Sequence, residues 1–433
     1  MPTRFQEILQ KHFQQRVNKE HGKLAEWQRK RFEVFLDNGL PTRKDEEWKY
    51  TSAAAIVKNG FEPLVDAGQN DETIIPKEYL LGLSDAWRMV FLNGFYAKKQ
   101  SDLRQLSTGL QIESLSDLRK NQPEKLAHRL GMGTPDEAFT LLNDAFLQDG
   151  AFIHIAENCR INKPLHLLSL NQNLSDAILV QPRHVVQIGK NSLITIVLSA
   201  ANFNTDKGEL NNLLTQITVE ENAELHLYLV HDQENSDTYL DHTYIEAAKN
   251  SRVFCYNLTL GGKLIRNDLR VNLIGEGSEA NLFGLYALHG KQHADNRTLV
   301  IHAKPHCQSN ELYKGILDEQ STGIFNGKIL VEQDAQKTLA FQHNPNILLS
   351  NETTINSKPQ LEIFADDVKC THGASSGGID PNALYYLQTR GIGLNEARKL
   401  LVYAFSKEVS DAIALPALKD WFEQKLSERF LVS

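Results

Sequence analysis

Five short turn segments recur through the middle of this chain, and their spacing constrains the fold more tightly than any other feature. They are Lys190-Asn191-Ser192, Glu221-Asn222-Ala223, Lys249-Asn250-Ser251, Glu276-Gly277-Ser278 and Pro305-His306-Cys307. Their middle residues fall 31, 28, 27 and 29 positions apart, and each precedes an alternating apolar run. Such runs include Leu193 to Val197, Leu213 to Val219, Leu225 to Leu229 and Leu269 to Leu273. No helix-length amphipathic segment separates them, which argues against βαβ units. A beat of roughly 20–50 residues signals stacked repeats, each too small to bury its apolar face alone. Stacking buries a continuous core, with strands about 4.8 Å apart. The expectation is a β-helix or β-solenoid. A sandwich, the other arrangement compatible with short strands, has turns every 8–12 residues or so without the longer beat.

The chain is 433 residues long, too many for one compact core of ordinary size. The spacing and composition suggest three regions: a helical and irregular domain over 1–145, the β core over 146–375, and a helical domain over 376–433. In the first, Leu24, Trp27, Arg31, Val34 and Phe35 fall near helical spacing, and Asn38-Gly39 marks a stop. Trp48 and Tyr50 follow in a polar stretch, either as a binding strip or as aromatics that pin a helix start to the domain. Gly60 to Thr73 reads as a loop. In the last region, Asp380-Pro381 suits a helix start, and that helix is expected to end near Gly391. A second helix gathers Leu394, Ala397, Leu401 and Phe405 on one face, a candidate partner-binding surface.

Function classes narrow by exclusion. A net charge of −8 argues against nonspecific nucleic-acid binding. No apolar run reaches membrane-spanning length, and the N-terminus lacks the apolar stretch of a secretion signal. The four cysteines, Cys159, Cys255, Cys307 and Cys370, form no CxxC pair, so neither a disulfide framework nor a structural zinc motif is visible. A soluble protein of the reducing cytoplasm is expected. Two phosphate-loop lookalikes fail. Gly323 to Ile329 is one residue short of a nucleotide loop and has Ile329 where a hydroxyl must reach magnesium. Gly275 to Ala280 leads into another strand, with no helix N-terminus for a pyrophosphate. Asp366 and Asp367, adjacent in a strand or turn, point apart and read as turn residues.

Metal chemistry has two candidates. His289, His293, His302, His306 and Cys307 cluster in sequence, but histidines four apart in a strand lie roughly 13 Å from each other. Cys370 and His372 are two apart, which in a strand puts both on one face. Thiolate and imidazole suit iron. A core thiol and a hydrogen-bonded histidine are the plain alternative, and two ligands are too few for a cluster without a partner.

Several long blocks resemble the SufB/SufD family of iron–sulfur cluster assembly scaffolds. They are Gly39 to Thr51, Leu142 to Gly150, Phe325 to Thr338, Lys358 to Ala374 and Tyr385 to Leu401, in the family's order and across most of the chain. The resemblance is nearer the SufD branch: Gln342 to Leu349 holds no cysteine where SufB carries its acceptor thiol. It implies a mainly β protein, with a right-handed parallel β-helix core flanked by helical domains, and no catalytic role. It implies pairing with a SufB-like paralogue through the last strands, and a SufC-like ATPase held by the C-terminal helices. His372 would face a transient iron–sulfur cluster or iron shared with SufB, with Cys370 beside it. Reduced flavin is associated with such complexes, though no flavin motif is readable here. The rival readings are a polysaccharide-active β-helix enzyme and a SufB-like homodimer.

Overall fold

Each recurring turn places one residue in the left-handed region of backbone space. Asn158, Asn191, Asn222 and Asn250 have φ of 59°, 56°, 57° and 54°, and Gly277, His306 and Lys337 continue the series. Asparagine tolerates this conformation because its short side chain bonds locally. Here the side chains bond to one another: Asn191 Nδ2 donates to Asn158 Oδ1 at 2.8 Å, and Asn222 Nδ2 to Asn191 Oδ1 at 3.1 Å. The backbone N–H of Asn222 donates to the next turn's carbonyl at Lys249, and that of Asn250 to Glu276. The turns are therefore one stacked corner of a coil.

The computed structural model describes residues 3–16, 21–64, 74–124, 126, 130, 134–172, 177–203, 208–232 and 237–430. Successive strands alternate between two sheets, the first holding Gly150–Ile155 and Leu210–Val219 and the second Leu165–Gln172 and Glu224–His231, and each long strand pairs in parallel with the strand one coil later. Leu193 aligns with Glu224, Glu224 with Arg252, Arg252 with Glu279, and Glu279 with Gln308. Those steps reproduce the spacing of the turns. The result is a parallel β-solenoid of about seven turns between helical modules. Inward positions of both sheets, among them Ile196, Leu227, Cys255, Ile245 and Val271, interdigitate as one apolar core. Burying each such side chain contributes about 1.5–3 kcal/mol.

Strands from residues 1–145 also join the two sheets. Trp87–Leu92 lies parallel to Leu165–Gln172, and Leu110–Ser114 runs antiparallel to Gly150–Ile155. Helices Arg4–Arg16, Lys23–Asn38 and Ala138–Ala145 close over the outer face of the first sheet, packing Phe13, Phe32, Phe35 and Phe139 with Leu179, Leu210 and Leu240. Lys23–Asn38 ends as expected, with Gly39 at φ 68° donating to Phe35. Trp48 pins the segment: its ring is buried against Phe139 and under the Arg266 guanidinium at 3.9 Å, whereas Tyr50 is exposed. Of the expected loop from Gly60 to Thr73, residues 65–73 lie outside the described residues; Glu62–Pro63 pairs with Ile178 and Leu179.

The C-terminal module covers the second sheet. Pro381–Thr389 starts at Asp380, whose carboxylate accepts from the Asn382 N–H at 2.9 Å. Leu394–Asp411 and Pro416–Phe430 bury Val402, Val409, Leu418, Phe422 and Leu426 against Tyr228, Tyr256, Leu285 and Ile316. No helix among the described residues is long and apolar enough to cross a membrane.

Candidate functional site: the open end of the solenoid

The last strands of the two sheets, Thr354–Ile363 and Lys369–Gly377, each pair on one side only. Along them most side chains are exposed or half-buried, in contrast to the buried strands behind. Phe341, Ile363 and Phe364 leave apolar surface at this end, with Phe364 63% exposed. Two open strand edges beside exposed aromatics are a surface that must be paired or covered.

Cys370 and His372 lie on this edge strand, in register with Ala340 and Gln342. Both partners are buried inward positions of their strand, so the period of two carries both side chains to the interior face of the terminal coil. Their depths differ. Cys370 packs against Ile329, Val331, Ala335, Ala340 and Ala365. Burial pushes its thiol up, against the thiolate that metals require, while the Ala340 backbone bond opposes this. His372, near the uncapped rim, is exposed. The thiol is thus half-buried in the terminal coil, while the imidazole is accessible.

The other sequence candidates separate. His302 is buried and bonds Ser309 Oγ at 2.9 Å. His293 bonds Thr51 at 2.9 Å, His289 meets Arg429, and His306 is an exposed corner residue. Gly323 to Ile329 lies within strand Thr322–Val331, and Asp367 pairs with Lys337. All four cysteines are free thiols. On the C-terminal module the expected partner face is divided. Ala397 is fully buried, and Phe405 is half-buried, packed on the solenoid with the Lys314 ammonium 4.3 Å over its ring. Leu401 is half-buried and Leu394 exposed; the exposed surface continues instead through Leu400, Tyr385 and Tyr386. The helical period identifies a stripe but not which stripe the solenoid takes.

Sequence reasoning missed a charged layer under the N-terminal module. Asp144 pairs with Arg31 and with the fully buried Arg183. Arg266 pairs with Asp295, which also accepts from Thr51 at 2.6 Å. Arg270 joins Glu137 to Asp268, and Arg297 joins Asp268 to Glu47. Within this layer Glu137, His242 and Asp268 place ligand-capable atoms within 4.8 Å of one another. Burial and Asp268 push Glu137 up to about 7, and burial pushes His242 down to about 4. Both carboxylates already answer arginines, so the set is a structural ion network rather than a cation site. These partners lie up to 250 positions apart in the chain, and nothing local announces them.

A helix-flanked parallel β-solenoid, closed at one end and presenting a histidine at the other, is the class of protein these features define. The chain belongs to the SufBD family of iron–sulfur cluster assembly proteins. The model for the SUF system SufBD core domain matches residues 170–405, and that for the SufBD N-terminal region matches 3–167. A SufBD family protein of Synechocystis is 34% identical over 90% of this chain and 87% of its own length. The iron–sulfur cluster assembly protein SufD of Escherichia coli is 30% identical, over 91% and 90%. SufD of Bacillus subtilis is 25% identical over 68% of each.

Proposed function

We propose that this chain is a non-catalytic scaffold subunit for iron–sulfur cluster assembly, of the SufD type. Its open end pairs with a SufB-like paralogue, and its C-terminal helices hold a SufC-like ATPase. The observation that carries the reading is the uncapped coil: two half-paired strands, exposed aromatics and an accessible imidazole on one edge. One imidazole cannot hold iron or a cluster, so His372 supplies one ligand and the paralogue the rest. Iron or a transient cluster is the cargo of that interface, and any reduced flavin acts at the level of the whole complex. The exposed Tyr385, Tyr386, Leu394 and Leu400 offer the ATPase an apolar face on helices that rest on the solenoid. Movement of the ATPase is thereby passed to the open end. A reducing cytoplasm suits the four free thiols.

Coexpression with the neighbouring genes tests the reading. A paralogue and an ATPase are expected to copurify; a chain that purifies only with itself refutes the heteromeric scaffold. His372→Ala is expected to leave the complex assembled and lower its iron content. Unchanged iron content returns His372 to a structural role.

A further inference from the structure

The interior of the solenoid changes character toward its open end. One column of inward positions on the second sheet runs Leu227, Cys255, Leu282, Glu311, Gln342, His372, each in register with the next. The first three are buried and fit the apolar core. Then a carboxyl group and a carboxamide follow, both buried, before the column reaches the exposed imidazole. A buried carboxyl is costly unless it is bonded, and Glu311 is bonded on one oxygen only. Oε2 accepts from Thr298 Oγ1 at 2.6 Å and from Gln342 Nε2 at 3.2 Å. With Nε2 of Gln342 on a carboxyl oxygen, Oε1 is the acceptor left over. That Oε1 is buried without a hydrogen-bond partner. The opposite wall lies close to the amide: a Cβ at Gly327 would sit 2.3 Å from Gln342 Nε2, so a side chain there would displace the carboxamide from its present position.

We propose that Gln342 and Glu311 are positioning residues for His372. Gln342 Oε1, unpaired in the free chain, accepts the N–H of one ring nitrogen when His372 binds metal, so that the other nitrogen faces the ion at the open end. Glu311 holds the carboxamide in the orientation this requires, and Gly327 makes the space. Metal-binding histidines commonly donate their second ring N–H in this way, and the bond fixes both tautomer and ring orientation. The inference rests on the reading of His372 as a metal ligand shared with a partner.

Ferrous iron alone is the probe, titrated anaerobically into the complex of the full chain with its copurifying paralogue. Gln342→Met preserves volume and removes the acceptor. It is expected to weaken iron binding about 10–100-fold, the usual loss when such a support is removed, in a chain that a urea melt shows to be still folded. Glu311→Gln, isosteric and uncharged, is expected to weaken it less. The exchange E311Q/Q342E restores a donor at 311 and acceptors at 342, and is expected to recover most of the loss; a purely structural role gives no reason for that recovery. If Gln342→Met does not fold, Glu311→Gln and the exchange decide. Parental iron affinity in both single variants, with affinity lost in His372→Ala, overturns the positioning chain and leaves the scaffold reading standing. Parental affinity in His372→Ala removes the metal role of His372, and this proposal with it.

Discussion

The two ends of the solenoid are finished differently. At the N-terminal end both sheets stop on antiparallel strands, Leu110–Ser114 and Phe95–Tyr96, and helices with a buried charged layer lie over the first sheet. At the C-terminal end both sheets stop on parallel strands with a free edge and exposed aromatics. A parallel coil needs something foreign to stop it, because every coil is a template for another. The N-terminal module supplies that stop from the same chain. At the other end the chain supplies none among the described residues. The difference separates what the chain needs to fold from what it offers to others.

Substitutions at the two ends are expected to behave accordingly. Asp144→Ala leaves the guanidiniums of Arg31 and Arg183 without their shared carboxylate at the closed end. We expect a loss of about 3–5 kcal/mol, seen as a lower urea midpoint. A loss below about 1 kcal/mol shows that the charged layer is not what fastens the module.

Nearer the open end, Glu311 makes stability pH-dependent. Burial raises it from 4.5 to about 7, with the Thr298 and Gln342 bonds opposing. Over that window the folded chain holds a proton that the unfolded chain has released, so stability falls as pH rises from about 4.5 through 7. Glu311→Gln removes this dependence. Relative to the parent, it is expected to gain on the order of 3 kcal/mol between pH 4.5 and 8, by urea melts at each pH. Parallel pH curves for the two proteins contradict the buried carboxyl.

At the repeating corner, Asn222→Ala puts a Cβ-bearing residue without a side-chain amide at φ 57° and breaks the ladder to Asn191. A cost of about 1–2 kcal/mol is expected, and less for Asn222→Gly. Smallest of all is Phe364→Ala at the rim. Its stability is expected to stay within about 0.5 kcal/mol of the parent. Recovery of the paralogue in a pull-down is expected to fall. A large stability loss with normal recovery reverses the contrast between the ends.

The coils were legible in the sequence because each one repeats its corner: the spacing of Asn191, Asn222, Asn250, Gly277 and His306 is the strand register itself. The closed end was not, because Trp87–Leu92 enters the sheet from a region without that repeat, and its partner Leu165–Gln172 lies more than seventy residues on. Cys370 and His372 were legible as a same-face pair. Their different depths follow from the rim of the coil, which local alternation does not encode. Glu311 and Gln342 were missed although a signal existed: Glu311 alternates with Ser309 and Tyr313 at positions the register assigns to the interior. Extending the corner spacing to individual columns would have exposed a carboxylate at a core position. For the C-terminal helices, period alone put Ala397 and Phe405 on the docking face, whereas Ala397 is fully buried and Phe405 packs in part on the cluster against the second sheet.

The stacked asparagine corner also makes the length of the molecule quantised. A segment of 27–33 residues, corner to corner, is one layer about 4.8 Å thick. Removing or inserting a whole layer leaves the register of every other layer intact, while a cut inside a strand shifts its residues against both neighbouring layers. The distance from the helical cap to His372 is therefore set in steps, and the chain can be lengthened or shortened as a gauge block without redesigning either end.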